Sequence, residues 1–153
     1  MGWSALLLSL ACSIALTVGC GSIRSTPPLL QGSIKVAPTT NPDLRGRPSP
    51  IVVRVYELKS TSTFNNADFF SLFDSESETL AGDLIGREEY DLRPDESRPY
   101  RRQLQPETKH IGVVAAFRDL EKSTWRQAVA VPAKRGGNLI INIETQAVIL
   151  TLK

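Results

Sequence analysis

The sequence predicts an all-β protein, an antiparallel sandwich of two sheets built from seven or eight strands with one short helix added. Three observations carry this. From residue 33 onward, short apolar or alternating segments rich in Val, Ile, Leu and Tyr recur every few residues. Pro, Gly, Asn and Asp clusters separate them, as turns require. A single Phe-rich segment has helical spacing instead. With 153 residues there is material for one packed domain and not for two.

The first element is not part of that domain. Residues 1–23 hold none of the 34 charged side chains, and Arg24 is the first. Residues 5–18 (ALLLSLACSIALTV) form an apolar run of 14, shorter than the roughly 20 residues a membrane helix needs. Such a run fits the centre of a secretory signal peptide, expected over residues 1–19. Cys12 lies inside it and would leave with it, so a chain starting at Cys20 has no second cysteine for a disulfide. One cysteine directly after Leu16-Thr17-Val18-Gly19 resembles the lipidated first residue of a bacterial lipoprotein, although the leucine stands one place earlier than usual. Gly21 in place of Asp makes the outer membrane the expected destination. Residues 20–32 then read as a lipidated tether stiffened by Pro27-Pro28, and residues 33–153 as the sandwich.

Within the sandwich, Ser33–Ala37 alternates with Ile34 and Val36 on one face, and Pro38–Ser49 is a loop with three prolines and a glycine. Pro50–Leu58 (PIVVRVYEL) is a core strand. Phe64–Asp74 (FNNADFFSLFD) is the helix, with Asn65 or Asn66 as N-cap and with Phe69, Phe70, Leu72 and Phe73 on one face. It is expected to cover an end or edge of the sandwich; the alternative is an exposed aromatic surface for a partner. Residues 84–92 align Leu84, Tyr90 and Leu92, and Arg98–Gln105 returns after the turn Pro94-Asp95-Glu96-Ser97. Ile111–Phe117 is buried, Trp125–Val131 alternates, and Gly136-Gly137 is read as a hairpin turn into Leu139–Glu144. Ala147–Leu152 ends the chain.

The chemistry available for catalysis is sparse. His110 is the single histidine, read as a surface or turn residue, and no Cys/His pair or zinc cluster can be assembled. A G-x-S-x-G elbow is missing, and the carboxylates of Glu88 and Glu89 alternate to opposite faces. Asp74-x-Glu76-x-Glu78 lacks the glycine and the final glutamate of a calcium loop. No phosphate-cradling glycine loop occurs, so neither a metal nor another cofactor is expected, and no enzyme. A net charge of +2 with interspersed signs excludes a dedicated nucleic-acid binder. The cluster Arg98, Arg101 and Arg102 reads either as a solvated edge strand or as a contact for an acidic partner or lipid phosphates.

Taken in order, the lipidation motif, the Pro/Gly-rich first loop, VVRVYELKSTSTFNNADFFSLF, LAGDLIGREEYDLRP and HIGVVAAFRDLEKSTWR resemble the TssJ family, outer-membrane lipoproteins of the type VI secretion system. The resemblance spans the chain from Cys20 to the last strands. It implies a transthyretin-like sandwich with an added helical element. It also implies a structural role, holding the trans-envelope complex to the outer membrane by binding the periplasmic C-terminal domain of TssM and, through it, TssL. The family's contact loop maps onto Pro38–Ser49, with Thr39, Asn41, Asp43, Leu44, Arg45 and Arg47 as its exposed side chains; an ordinary connector is the other reading. A lipoprotein of the same shape binding a small ligand or carrier is the alternative function.

Overall fold

The computed structural model describes residues 27–132 and 136–153. The expected signal peptide and Cys20 lie outside the described residues. In order, the elements are β1 (Leu29–Val36), β2 (Ile51–Leu58), α1 (Ser62–Asn66), α2 (Phe69–Asp74), α3 (Glu76–Leu80), a 3-10 turn (Ala81–Asp83), β3 (Leu84–Leu92), β4 (Ser97–Gln103), β5 (His110–Ala115), β6 (Arg126–Ala130), β7 (Gly137–Ile143) and β8 (Val148–Leu152). They form two four-stranded sheets, ordered β4-β1-β7-β8 and β3-β2-β5-β6. The all-β sandwich predicted from alternation is therefore the architecture.

Its core follows from strand periodicity. Ile51, Val53 and Val55 of β2 face Leu30, Ile34, Leu139 and Ile141 of the opposite sheet. Tyr56 and Leu58 instead point outward into a second core with Val114, Phe64, Leu72 and Leu80. Each such fully buried side chain contributes about 1.5–3 kcal/mol. The helical segment thus covers the outer face of the second sheet. It does not cover an end or an edge.

Several expectations need correction. Strand β1 begins at Leu29, paired with Gln103, so residues 29–32 belong to the sandwich and the tether ends sooner. The pairing of β1 with β7 is parallel within otherwise antiparallel sheets, because β1 sits between two strands that run opposite ways. The single helix is three short ones: Ala67 is extended (ψ 151°), and Asp68, rather than Asn65 or Asn66, caps α2 by accepting the Ser71 N–H at 2.9 Å. Phe69, Leu72 and Phe73 keep the i, i+3, i+4 stripe and turn inward, which leaves Phe70 outside it. A bulge at Glu57/Leu58 turns Leu84 into the second core, away from Tyr90 and Leu92. Gly136-Gly137 does not close a hairpin, since β6 and β7 lie in different sheets. At Gly136 a Cβ would lie 1.7 Å from the Leu29 carbonyl oxygen, so close backbone approach explains the glycine.

Arginines hold the helices on the sheet. Arg54 stacks 3.8 Å from the centre of the Phe73 ring and donates to the Phe73 carbonyl, while Arg126 donates to the carbonyls of Phe64 and Ala67. These carbonyls sit at helix ends, where no backbone N–H reaches them.

Candidate partner-binding face

The loop from Ala37 to Pro50 crosses from the first sheet to the second and has a stitched base and a free tip. At the base, Thr40 is buried and its hydroxyl donates to the Glu144 carbonyl at 2.5 Å. The backbone N–H of Asn41 reaches Thr145 O at 2.9 Å. Its side-chain amide donates to Pro50 O at 2.8 Å and accepts from the Arg118 N–H at 2.8 Å. Asn41 is only 4% exposed, at φ 50°, so the expectation that it is an exposed contact residue is wrong. A polar residue in a loop reads as solvated until two backbone groups from other segments close over it. Thr39 stays exposed, its hydroxyl 2.7 Å from that of Thr145.

Asp43 organises the tip. Its carboxylate accepts the N–H groups of Arg45 (2.8 Å) and Arg47 (3.0 Å) and the Arg47 guanidinium Nε (2.8 Å). The Arg47 amide and guanidinium hold its carboxyl below the usual range. Arg47 is thereby occupied inside the loop. What remains to meet a partner is the Arg45 guanidinium and Leu44, whose exposure is 108% of a reference side chain.

Leu44 does not stand alone. A surface groove of about 790 Å³ runs from it to Phe70 of α2 and is lined also by Pro42, Leu120 and Lys122. Phe70 is 64% exposed, so the two most exposed large hydrophobic side chains among the described residues flank one groove. The sequence groups Phe70 with Phe69, Leu72 and Phe73 on one helical face, and the structure separates it from them. The signal for Phe70 was its position off the 69/72/73 stripe; nothing local could have paired it with Leu44.

The other candidate residues are placed as follows. Of the arginine cluster, Arg102 bonds the buried Glu57 (Nε–Oε1 2.8 Å) and Glu88 (3.1 Å), and Arg98 pairs with Glu96 and donates to Asp91 O at 2.9 Å. Only Arg101 points out of the cluster without an ion pair among the described residues. His110 is half-buried at the start of β5, not a surface residue, and its buried Nδ1 has no hydrogen-bond partner among the described residues.

Comparison with known proteins places this geometry. The family described as "T6SS-SciN: Type VI secretion lipoprotein, VasD, EvfM, TssJ, VC_A0113" matches residues 29–149. The T6SS lipoprotein TssJ1 from Pseudomonas aeruginosa is similar at 39% identity, over 83% of this chain and 97% of that one, with a TM-score of 0.81. Serratia marcescens Lip, a membrane bound component of the type VI secretion system, shares the fold (23% identity, 83% and 98% covered, TM-score 0.75). So does a chain in the structure described as the T6SS protein TssM C-terminal domain (869-1107) from EAEC, at 29% identity, with 82% and 97% covered and a TM-score of 0.64. No match is found among curated protein sequences. From the strand order to the helical cover and the matched residues, the chain belongs to the TssJ family of type VI secretion lipoproteins, a family of structural components and not of enzymes.

Proposed function

We propose that this chain is a non-enzymatic subunit of the type VI trans-envelope complex. It is anchored by acyl groups on Cys20 to the periplasmic face of the outer membrane, and it binds the periplasmic C-terminal domain of TssM and thereby TssL. The observation that carries this is the groove between Leu44 and Phe70 at the end of the sandwich opposite the entry of β1. A ligand of the membrane-anchored chain meets that end without passing the anchor. Family membership supports the reading, as does a sandwich of this shape in the structure described for the TssM C-terminal domain. The stitched base keeps the loop ordered before binding, which lowers the entropy lost on association.

Binding assigned to the tip predicts that Leu44→Asp combined with Arg45→Glu weakens TssM binding more than about 30-fold. Thermal melting should stay unchanged, because neither side chain is packed. Wild-type affinity for TssM in this double variant would reject the assignment.

A further inference from the structure

Helices cover the outer face of the second sheet, whereas the outer face of the first sheet is bare among the described residues. Strand register fixes what it displays. Arg101 of β4, Gln31 of β1 and Asn138 of β7 form one outward row, extended by Lys153, which exchanges two backbone hydrogen bonds with Asn138. Lys35 projects from the same face two rows further on. None of the outward positions 31, 33, 35, 97, 99, 101, 103, 138, 140, 142, 149, 151 and 153 is Asp or Glu. Neither Lys35, Arg101 nor Lys153 makes a salt bridge among the described residues, although most other arginines of the domain do. Of the nearby acids, Glu107 pairs with Lys59 and Glu96 with Arg98, while the exposed Glu144, one residue past β7, stands at the loop end of the face, away from the Arg101/Lys153 row.

We infer that this cation-bearing face lies against a membrane surface carrying anionic phospholipid headgroups, led by the Arg101/Lys153 row. The inference rests on the anchor proposed above. The chain outside the described domain argues for this occupant. Cys20 precedes Pro28 by eight residues, a reach of at most about 28 Å. The strand it leads into, β1, enters beside Gln103, two residues from Arg101. An anchor on so short a lead lets the face reach the headgroups, and within one Debye length of them each cation strengthens contact about fivefold. The helical layer carrying Phe70 is then on the far side of the sandwich, open to the periplasm.

Amine acetylation of the full chain, purified from membranes and reconstituted in vesicles, tests this. In phosphatidylethanolamine mixed with phosphatidylglycerol, Lys35 and Lys153 should label about threefold more slowly than in phosphatidylcholine alone, with Lys122 beside the groove unchanged. High salt or Arg101→Glu should remove the difference, and Arg101→Gln should reduce it. Flotation with the vesicles reports the anchor separately. Equal labelling in both lipids by a chain that floats overturns the face alone; a chain that does not float removes the anchor and the face together.

Discussion

Asn41 and Leu44 lie three residues apart in one loop and do opposite work. Asn41→Ala removes two part-buried hydrogen bonds, to Pro50 O and from the Arg118 N–H, and places alanine at φ 50°. It should cost about 3 kcal/mol in urea denaturation, against less than about 0.5 kcal/mol for Leu44→Ala. Wild-type stability in Asn41→Ala, together with lost TssM binding, would return Asn41 to the contact residues. Asp43 adds a pH dependence of known sign. Its carboxyl is lowered from 3.8 chiefly by the Arg47 amide, so its contribution is complete above the unfolded value and is lost as pH falls through the folded one. The stability difference between the wild type and Asp43→Asn should be constant near neutrality and shrink below about pH 4. A difference that does not change with pH would mean the charge of Asp43 does not order the tip.

At the scale of elements, the parallel contact of β1 with β7 depends on a glycine. Gly32 has φ 150°, and a Cβ there would lie 1.8 Å from the Leu139 carbonyl oxygen. Gly46, at φ 77°, has open space around it. Gly32→Ala should therefore destabilise by more than about 3 kcal/mol, while Gly46→Ala costs about 1–2 kcal/mol from backbone conformation alone. Equal midpoints of chemical denaturation for the two would contradict the close approach. The same scale shows how far local pattern reaches. Alternation located eight strands to within a few residues, because burying one face of a strand imposes a period of two on its own sequence. The helical segment reads as one helix because the Phe and Leu spacing runs through it with Asn65 or Asn66 as cap, and only the packed arrangement makes Asp68 the cap of α2.

Over the whole molecule, β1 runs from the tether end to the loop end, about 23 Å along eight residues. The end from which the proposed anchor leads and the groove are thus at opposite ends of one strand. Cys20→Ala should move the protein from the membrane fraction to the soluble periplasm while leaving the TssM affinity of the purified chain unaltered; unchanged membrane association would remove lipidation from the reading. The buried Glu57, held by Arg102, the Gln105 N–H and the Thr108 hydroxyl, ties the β4–β5 connection to β2 near the entry of β1. Neither strand periodicity nor composition hinted at that network, whose members are up to 51 residues apart in sequence.

The sequence by itself determined the strands and the family, and it set the expectations of N-terminal processing and of a contact loop. Each is written in consecutive residues, where hydrophobic period, turn chemistry or motif order is a local property. Tertiary structure alone decided that Asn41 is a brace, that Arg47 is occupied by Asp43, that Phe70 joins Leu44 across one groove and that Arg101 shares an outward sheet face with Lys35 and Lys153. Those facts depend on sheet register and on which loops meet at a sandwich end, and contacts between distant segments leave no period in the sequence to read.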